Sequence, residues 1–297
     1  MKNIEKVLIA GLGAIGGYYA LKMMNDVTLK VLVDKERLLR YKKEPRIIND
    51  RICEFDYVLP EYSGFKADLI IIATKSSGLS ETICNIRNFV GDDTIILSFL
   101  NGITSEQEII KEYGNDKVLY SYLIGHTFFR SGNYITHDGK AKIVFGSTIK
   151  NDVKVDILRE FFEKMNICYS IPNDIRVSQW QKYCFNCCLN QLSAITGKTF
   201  GEIKSSKYCL NIIKHISDEV EQVANCENVD FNDFYSKTIE FLDLMIPDGK
   251  TSMLQDIEAG IFPETDIFGE TVTRLGEKHN IPTPYNRVMS EIIRAIV

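Results

Sequence analysis

No block of lysines or arginines occurs in this chain of 297 residues, and its formal net charge is −5. A nucleic-acid surface needs a concentrated basic patch to displace counterions, so that partner is not expected, while local sites can still hold small anions. Long hydrophobic runs are missing too. The apolar stretch Val7 to Ala10 is far too short to span a bilayer, and the N-terminus lacks the basic region, long apolar core and small-residue cleavage site of a signal peptide. No membrane partner is expected, and the expected location is the cytoplasm. Internal repeats and low-complexity stretches are absent. The four histidines, His126, His137, His215 and His279, stand far apart and share no motif. Cys184, Cys187 and Cys188 are spaced like a C-x-x-C motif, but no second cysteine pair and no histidine at ligand spacing accompany them. Reduced thiols packed as small hydrophobes are the better account, and no metal is expected.

What remains is a soluble globular composition, 45% hydrophobic and 25% charged, long enough for about two domains. Near its start, Val7-Leu8-Ile9-Ala10 runs into Gly11-Leu12-Gly13-Ala14-Ile15-Gly16-Gly17 and then Tyr18-Tyr19-Ala20-Leu21. A strand, a glycine turn and a helix in that order form a dinucleotide-binding turn. The first glycine permits the tight turn, the second lets a pyrophosphate approach the backbone, and the third lets helix and strand pack closely. Free N–H groups at the helix start then face the anion.

Short apolar strands alternate with helical patterns through the first half. Val27 to Val33, Asp68 to Thr74 and Thr94 to Leu100 read as strands, followed by Val118 to Ile124 and Lys142 to Phe145. Polar residues close the first three, at Asp34-Lys35, Lys75-Ser76-Ser77 and Asn101-Gly102. In an open α/β sheet such ends line the ligand crevice. A helix is expected from Val153 to Met165, and Pro172-Asn173 reads as the domain boundary. Beyond it the alternation stops and helices are separated by Gly, Pro and Asn signals. The expected fold is α/β: a Rossmann-type doubly wound sheet over residues 1–172, then a mostly α-helical domain over 173–297. A cleft between two such domains is a preferred place for a small molecule.

The helix expected from Val177 to Thr196 is apolar nearly all round, with Lys182, Asn186, Asn190 and Ser193 in one stripe at 3.6 residues per turn. Asparagine is a poor helix former, so a stripe built from it points to a polar cleft rather than to solvent. A second polar group lies in Thr251-Ser252-Met253-Leu254-Gln255-Asp256-Ile257 and the following Pro263-Glu264-Thr265-Asp266. Ser252 with Gln255 fits a capping box, which gives Ser252 a structural task alongside any ligand role. Glu264 and Asp266 are expected at the start of the next helix, where the dipole favours a carboxylate.

Together with Ala73-Thr74-Lys75, Leu100-Asn101-Gly102 and Trp180-Gln181-Lys182, these blocks resemble the ketopantoate reductases (2-dehydropantoate 2-reductases) over essentially the whole chain. The resemblance implies NADPH-dependent reduction of ketopantoate to pantoate, a step toward pantothenate and coenzyme A. By matching position it makes Lys182 the general acid and has Glu264 hold a substrate hydroxyl and orient Lys182. Asn186, Asn190 and Ser252 then bind the oxo-acid substrate, and Asn101 touches substrate and cofactor. Lys75 sits by the cofactor, whose pyrophosphate rests on Gly11, Leu12, Gly13, Ala14, Ile15 and Gly16.

Two positions depart from the family pattern. Lys35 stands where NADPH-using members commonly carry arginine, and Asp34 before it is of the type that binds an unphosphorylated ribose. NADP(H) is the expected cofactor, with NAD(H) the competitor. Pro263 stands where a threonine is expected. The alternatives are a β-hydroxyacid (3-hydroxyacid) dehydrogenase, a family relative reducing another 2-oxo acid, and a non-catalytic NAD(P)-binding sensor. An exposed helical surface on the second domain could support a homodimer.

Overall fold

The computed structural model describes residues 3–125 and 128–296. Two compact units divide the chain, Met1–Ile175 and Arg176–Val297. The division falls just past Pro172-Asn173 because Ile175 packs with Tyr120, Tyr122 and Val144 of the first unit.

The first unit runs β1 (Lys6–Ala10), α1 (Ala14–Met23), β2 (Thr28–Leu32), α2 (Lys35–Lys43), β3 (Arg46–Ile48), β4 (Arg51–Cys53), β5 (Tyr57–Val58), β6 (Ala67–Ile72), α3 (Leu79–Asn85), β7 (Val90–Ser98), α4 (Ser105–Tyr113), β8 (Val118–Ile124), β9 (Phe128–Ser131), β10 (Tyr134–His137), β11 (Lys142–Gly146), α5 (Val153–Lys164) and β12 (Tyr169–Ser170). The main sheet has the order β12-β11-β8-β7-β6-β1-β2-β5. Every pairing from β8 to β5 is parallel, while β11 joins β8 antiparallel.

Alternation along the central strands explains the two helical layers. Val7, Ile9, Leu69, Ile71, Ile95 and Leu97 share a core with Tyr19 of α1 and Phe162 of α5. Their neighbours Leu8, Ala10, Ile70, Ile72 and Ile96 face the other way, onto Leu79 and Ile83 of α3 and Ile109 of α4. Strands buried on both faces read as continuous apolar runs, and each fully buried aliphatic side chain contributes roughly 1.5–3 kcal/mol. The sheet is therefore doubly wound.

A second sheet, β4-β3-β10-β9, goes beyond the sequence expectation. Its strands are three or four residues long, too short for a period to declare itself. The β3–β4 hairpin turns on Asn49 and Asp50, both at positive φ (43° and 63°), as a two-residue turn that follows strand twist requires. Ile48 and Ile135 of this sheet reach Gly17 of α1, where an added Cβ would lie 3.4 and 2.8 Å from their Cδ1 atoms.

The second unit is helical: α6 (Ile175–Thr196, its first residue in the first unit), α7 (Phe200–Lys204), α8 (Lys207–Cys226), α9 (Phe234–Asp243), α10 (Ser252–Glu258), α11 (Gly269–His279) and α12 (Pro284–Ile296). Buried Glu219 of α8 accepts from the backbone N–H groups of Tyr285 and Asn286 at 2.8 and 2.9 Å and from Asn286 Nδ2 at 2.8 Å. Its charge thus closes the exposed donors at the start of α12. Cys184, Cys187 and Cys188 are buried free thiols. Thr238 Oγ1 donates to Cys184 Sγ at 3.6 Å, and Cys188 Sγ donates to the Ile213 carbonyl at 3.6 Å. Burial pushes the Cys187 and Cys188 thiols well up, which disfavours the reactive thiolate.

Candidate active site

Parallel register brings the first group of residues to one sheet edge. Ala10 pairs with Leu32 and Ile72, and Ile72 pairs with Ser98. The segments that follow, at Gly11, Asp34, Ala73-Thr74-Lys75 and Asn101, therefore leave the sheet on the same side.

Each glycine of the fingerprint has its own physical reason. Gly11 has φ +104°, and a Cβ there would lie 2.6 Å from the Ala73 carbonyl oxygen and 2.8 Å from Thr74 N. A Cβ at Gly16 would lie 1.9 Å from the Gly11 carbonyl oxygen. At Gly13 an added Cβ meets nothing within 4 Å. The turn is closed at its first and third glycines and open at its second, which is where a pyrophosphate must approach. Gly13 is the N-cap of α1 and makes no side-chain cap, and no acidic residue stands in the first turn. The N–H groups of Ala14, Ile15 and Gly16 begin a helix free of competing carboxylates, while the Leu12 side chain is buried and only its backbone can serve a ligand. These residues fit a dinucleotide.

Asp34 is the N-cap of α2. Its Oδ1 accepts from the Arg37 backbone N–H and its Oδ2 from Arg37 Nη1, each at 2.6 Å. Arg37, missed in the sequence, is signalled there only by its place at the third position after a capping aspartate. Lys35 is exposed, as are Lys75, before a single 3-10 turn, and Asn101, before Gly102 at φ +95°.

In the second unit, α6 carries Lys182, Asn186 and Asn190 on successive turns. Lys182 and Asn186 are half-buried, Asn190 is 5% exposed and Ser193 is buried. Dense packing around Lys182 lowers its pKa from 10.5 to about 8 through burial, because desolvation disfavours the ammonium. Asn186 and Asn190 form no side-chain hydrogen bond among the described residues. Ser193, by contrast, donates to the Lys198 carbonyl at 2.7 Å and so ties off the end of α6 rather than facing a ligand.

Two expectations are corrected here. The N-cap of α10 is Thr251, whose Oγ1 accepts from Leu254 N at 3.3 Å. Ser252 is the first helical residue, exposed and relieved of capping. Glu264 and Asp266 do not open a helix: α11 begins at Gly269 with Glu270 in its first turn. The start is fixed by packing, since a Cβ on Gly269 would lie 2.3 Å from Ser290 Oγ and 2.4 Å from Gln191 Oε1. Glu264 instead lies half-buried in the connecting segment, which Tyr183 of α6 anchors by donating to the Phe268 carbonyl at 2.8 Å. At the other end of that segment, Gly260 at φ +69° ends α10, with Ile261 N bonded to the Asp256 carbonyl and Gly260 N to that of Ile257. The backbone carrying Glu264 is thus fixed at both ends.

Among the described residues, no group of three or more His, Cys, Asp or Glu could hold a metal ion, and no helix is long and apolar enough to cross a membrane. His126 lies outside the described residues.

A doubly wound sheet with an open glycine turn, continued by a helical unit that carries a lysine on a polar stripe, defines an NAD(P)-dependent oxidoreductase. The family model of ketopantoate reductase PanE/ApbA matches residues 7–149, and that of the ketopantoate reductase PanE/ApbA C terminal matches 174–297. The chain belongs to the ketopantoate reductase family. A 2-dehydropantoate 2-reductase of Streptococcus pyogenes is 26% identical over 306 residues, covering 97% of each chain. Among solved structures, a D-mandelate dehydrogenase in ternary complex with NADH and anilino(oxo)acetate superposes with a TM-score of 0.86 at 22% identity, over 98% of this chain and 97% of that one. A dimeric ketopantoate reductase from Staphylococcus aureus gives 0.74 at 19% identity, over 97% of each. These two likenesses establish a shared fold.

Proposed function

We propose that this protein reduces 2-dehydropantoate to pantoate with a reduced nicotinamide cofactor, in pantothenate and coenzyme A biosynthesis, with Lys182 as general acid. The observation that carries the reading is Lys182 with a pKa lowered to about 8, one and two turns before two asparagines whose amides have no described partner. When bound, the nicotinamide supplies the hydride. Lys182 donates a proton to the substrate's carbonyl oxygen, and its charge stabilises the alkoxide as it develops. At neutral pH it remains mostly protonated and is a stronger acid than an ordinary lysine. Asn186, Asn190 and Ser252 bind the substrate's hydroxyl and carboxylate, and Glu264 holds a hydroxyl and orients Lys182. Asn101 contacts substrate and cofactor, Lys75 flanks the cofactor, and Gly11 to Gly16 receive its pyrophosphate. NADP(H) is the favoured cofactor, with NAD(H) the alternative that Asp34 keeps open. The enzyme works in the cytoplasm, as a homodimer; the Staphylococcus aureus ketopantoate reductase of the same fold is dimeric.

The test is loss of reduced nicotinamide on adding ketopantoate. Lys182→Ala should lose about 10²–10⁴-fold in kcat, the usual contribution of a positioned acid; a fully active variant overturns the mechanism. Turnover of a different 2-oxo acid moves the substrate within the family. Turnover of only a 3-oxo acid or succinic semialdehyde assigns a 3-hydroxyacid dehydrogenase, and cofactor binding without turnover assigns a sensor.

A further inference from the structure

Glu264 stands on backbone with no helix or strand of its own. Residues 261–265 have no regular structure, and a turn over 266–268 separates them from α11. A carboxylate on a helix takes its direction from the helix, whereas one on such a segment takes it from whatever holds the flanking residues. Pro263 and Thr265 are both buried, and Glu264 between them is half-buried. The ring of Pro263 locks its φ but leaves no N–H to tie the chain down. Thr265, on the other side of the carboxylate, is 1% exposed and carries a hydroxyl that does tie it down.

Thr265 Oγ1 donates to Glu270 Oε1 at 3.0 Å. Glu270, in the first turn of α11, accepts in turn from Arg294 in the last turn of α12, whose Nε lies 2.5 Å from Oε1 and Nη2 2.7 Å from Oε2. Two parallel charge-assisted bonds fix the plane of that carboxylate, a task for the arginine fork that the point charge of a lysine performs less well. The direction in which Thr265 must face is thereby set. Two further bonds hold the far part of the same segment, from Thr271 Oγ1 to the Asp266 carbonyl and from Tyr183 Oη to the Phe268 carbonyl, each at 2.8 Å. Those grip the backbone beyond the site, whereas the Thr265 bond grips the residue next to Glu264.

We propose that Thr265, Glu270 and Arg294 are positioning residues that act through Glu264. The Arg294 fork orients Glu270, Glu270 holds Thr265, and Thr265 fixes the direction in which the neighbouring Glu264 meets the substrate's hydroxyl. The proposal rests on the role of Glu264 in the reading above and deepens it. The last helix of the chain thereby bears on substrate binding.

The test is steady-state kinetics with ketopantoate, together with amide hydrogen exchange across residues 261–268. Thr265→Val keeps nearly the shape of the side chain and leaves Glu270 paired with Arg294, so the protein should fold. Its kcat/KM should fall about 10-fold, less than the 10²-fold that a displacement of about 1 Å can cost, with cofactor affinity as in the wild type. Thr265→Ser, which keeps the hydroxyl, should restore activity. Glu270→Ala should match Thr265→Val, and Arg294→Lys should lose part as much. In a Glu264→Gln background Thr265→Val should cost nothing more, because its effect passes through Glu264. Full kcat/KM in both Thr265→Val and Glu270→Ala overturns the proposal. So does a loss undiminished in the Glu264→Gln background, which marks general loosening of the helical unit. Amide exchange should rise across 261–268 in both variants while α6 stays protected, and unchanged exchange overturns the relay whether or not the protein turns ketopantoate over. A wild type that reduces no oxo acid, with exchange rising as expected in the variants, sinks the reductase reading and supports the relay. An active wild type whose variants are unaffected sinks the relay alone.

Discussion

Replacing Gly16 by alanine would place a methyl carbon 1.9 Å from the carbonyl oxygen of Gly11, where real Cβ contacts are essentially never under 3.0 Å. The backbone would have to yield by at least 3.0 − 1.9 = 1.1 Å. It is pinned on both sides, because Ala73 N donates to the Ala10 carbonyl at 2.8 Å and the Gly16 methyl would also stand 3.3 Å from Ala73 Cβ. Overpacking costs about 1–3 kcal/mol, and with backbone as the obstacle the upper value applies. At about 2–4 °C per kcal/mol for a unit of this size, the melting temperature should fall by about 6–12 °C. Gly13→Ala makes the opposite case. Its φ of −76° and ψ of −163° suit any residue, and the added methyl meets nothing within 4 Å. Losing a favourable N-cap residue costs a few tenths to about 1 kcal/mol, and restricting the unfolded chain returns about 0.4–1 kcal/mol, so stability should stay within about 2 °C. The methyl would nonetheless occupy the approach of the pyrophosphate, and nicotinamide-dinucleotide affinity should drop by about 10-fold or more. Thermal melts and calorimetric titration read the two effects separately. A Gly13→Ala protein that binds the dinucleotide like wild type, or a Gly16→Ala protein with an unchanged melting temperature, refutes the assignment of the three glycines.

Because burial lowers the Lys182 pKa to about 8 and reduction uses its protonated form, kcat should be level at lower pH and fall about 10-fold per pH unit above about 8. Oxidation of pantoate should follow the opposite limb, and a reduction profile breaking only near the ordinary lysine value of 10.5 contradicts the role. Thr251→Ala should cost about 1 kcal/mol as a lost N-cap, while Ser252→Ala should leave the melting temperature unchanged and raise the substrate KM. The reverse pattern restores Ser252 to the capping role. Glu219→Gln turns one of two accepting oxygens into a donor facing N–H groups, at about 1–3 kcal/mol, so the melting temperature should fall by several degrees. Asn190→Leu should hold or raise stability while abolishing substrate binding, and a large loss of stability would show that the amide is structural.

Legibility in the sequence followed burial. Strands β1, β6 and β7 declare themselves as continuous apolar runs because both faces are covered, and β8 does so for the same reason. The ends of β1, β2, β6 and β7 place Gly11, Asp34, Lys75 and Asn101 at one edge without any coordinates. The small sheet has no such signature, since β9 alternates weakly and most of it is exposed; only the Asn49-Asp50 turn betrays it. Thr251 and Ser252 are both able to cap, and the choice depends on which hydroxyl reaches the third following N–H. The start of α11 depends on Gln191 and Ser290, far away in sequence, so carboxylates just after a proline look like a helix start when they are not.

Helix α6 shows how structural and functional polarity can be separated on one element. Gln191 donates to the Cys187 carbonyl at 2.8 Å and accepts from Ser290 Oγ at 3.0 Å, and Thr196 donates to the Leu192 carbonyl at 2.7 Å. Those groups, with Ser193, lie in the C-terminal turns and hold the helix to its own backbone, to the chain that follows and to α12. Asn186 and Asn190 close no such bond among the described residues, although Asn190 is nearly as buried as its neighbours. Neither amide is among the buried side-chain atoms that lack a partner, and a leucine at 190 would add apolar burial to the surrounding core. Two asparagine amides that make no hydrogen bond among the described residues, one and two turns beyond a lysine with a lowered pKa, are groups that a polar ligand can engage. On the proposed reading the ligand-facing part of this stripe ends at Asn190, before Ser193, whose hydroxyl is already satisfied.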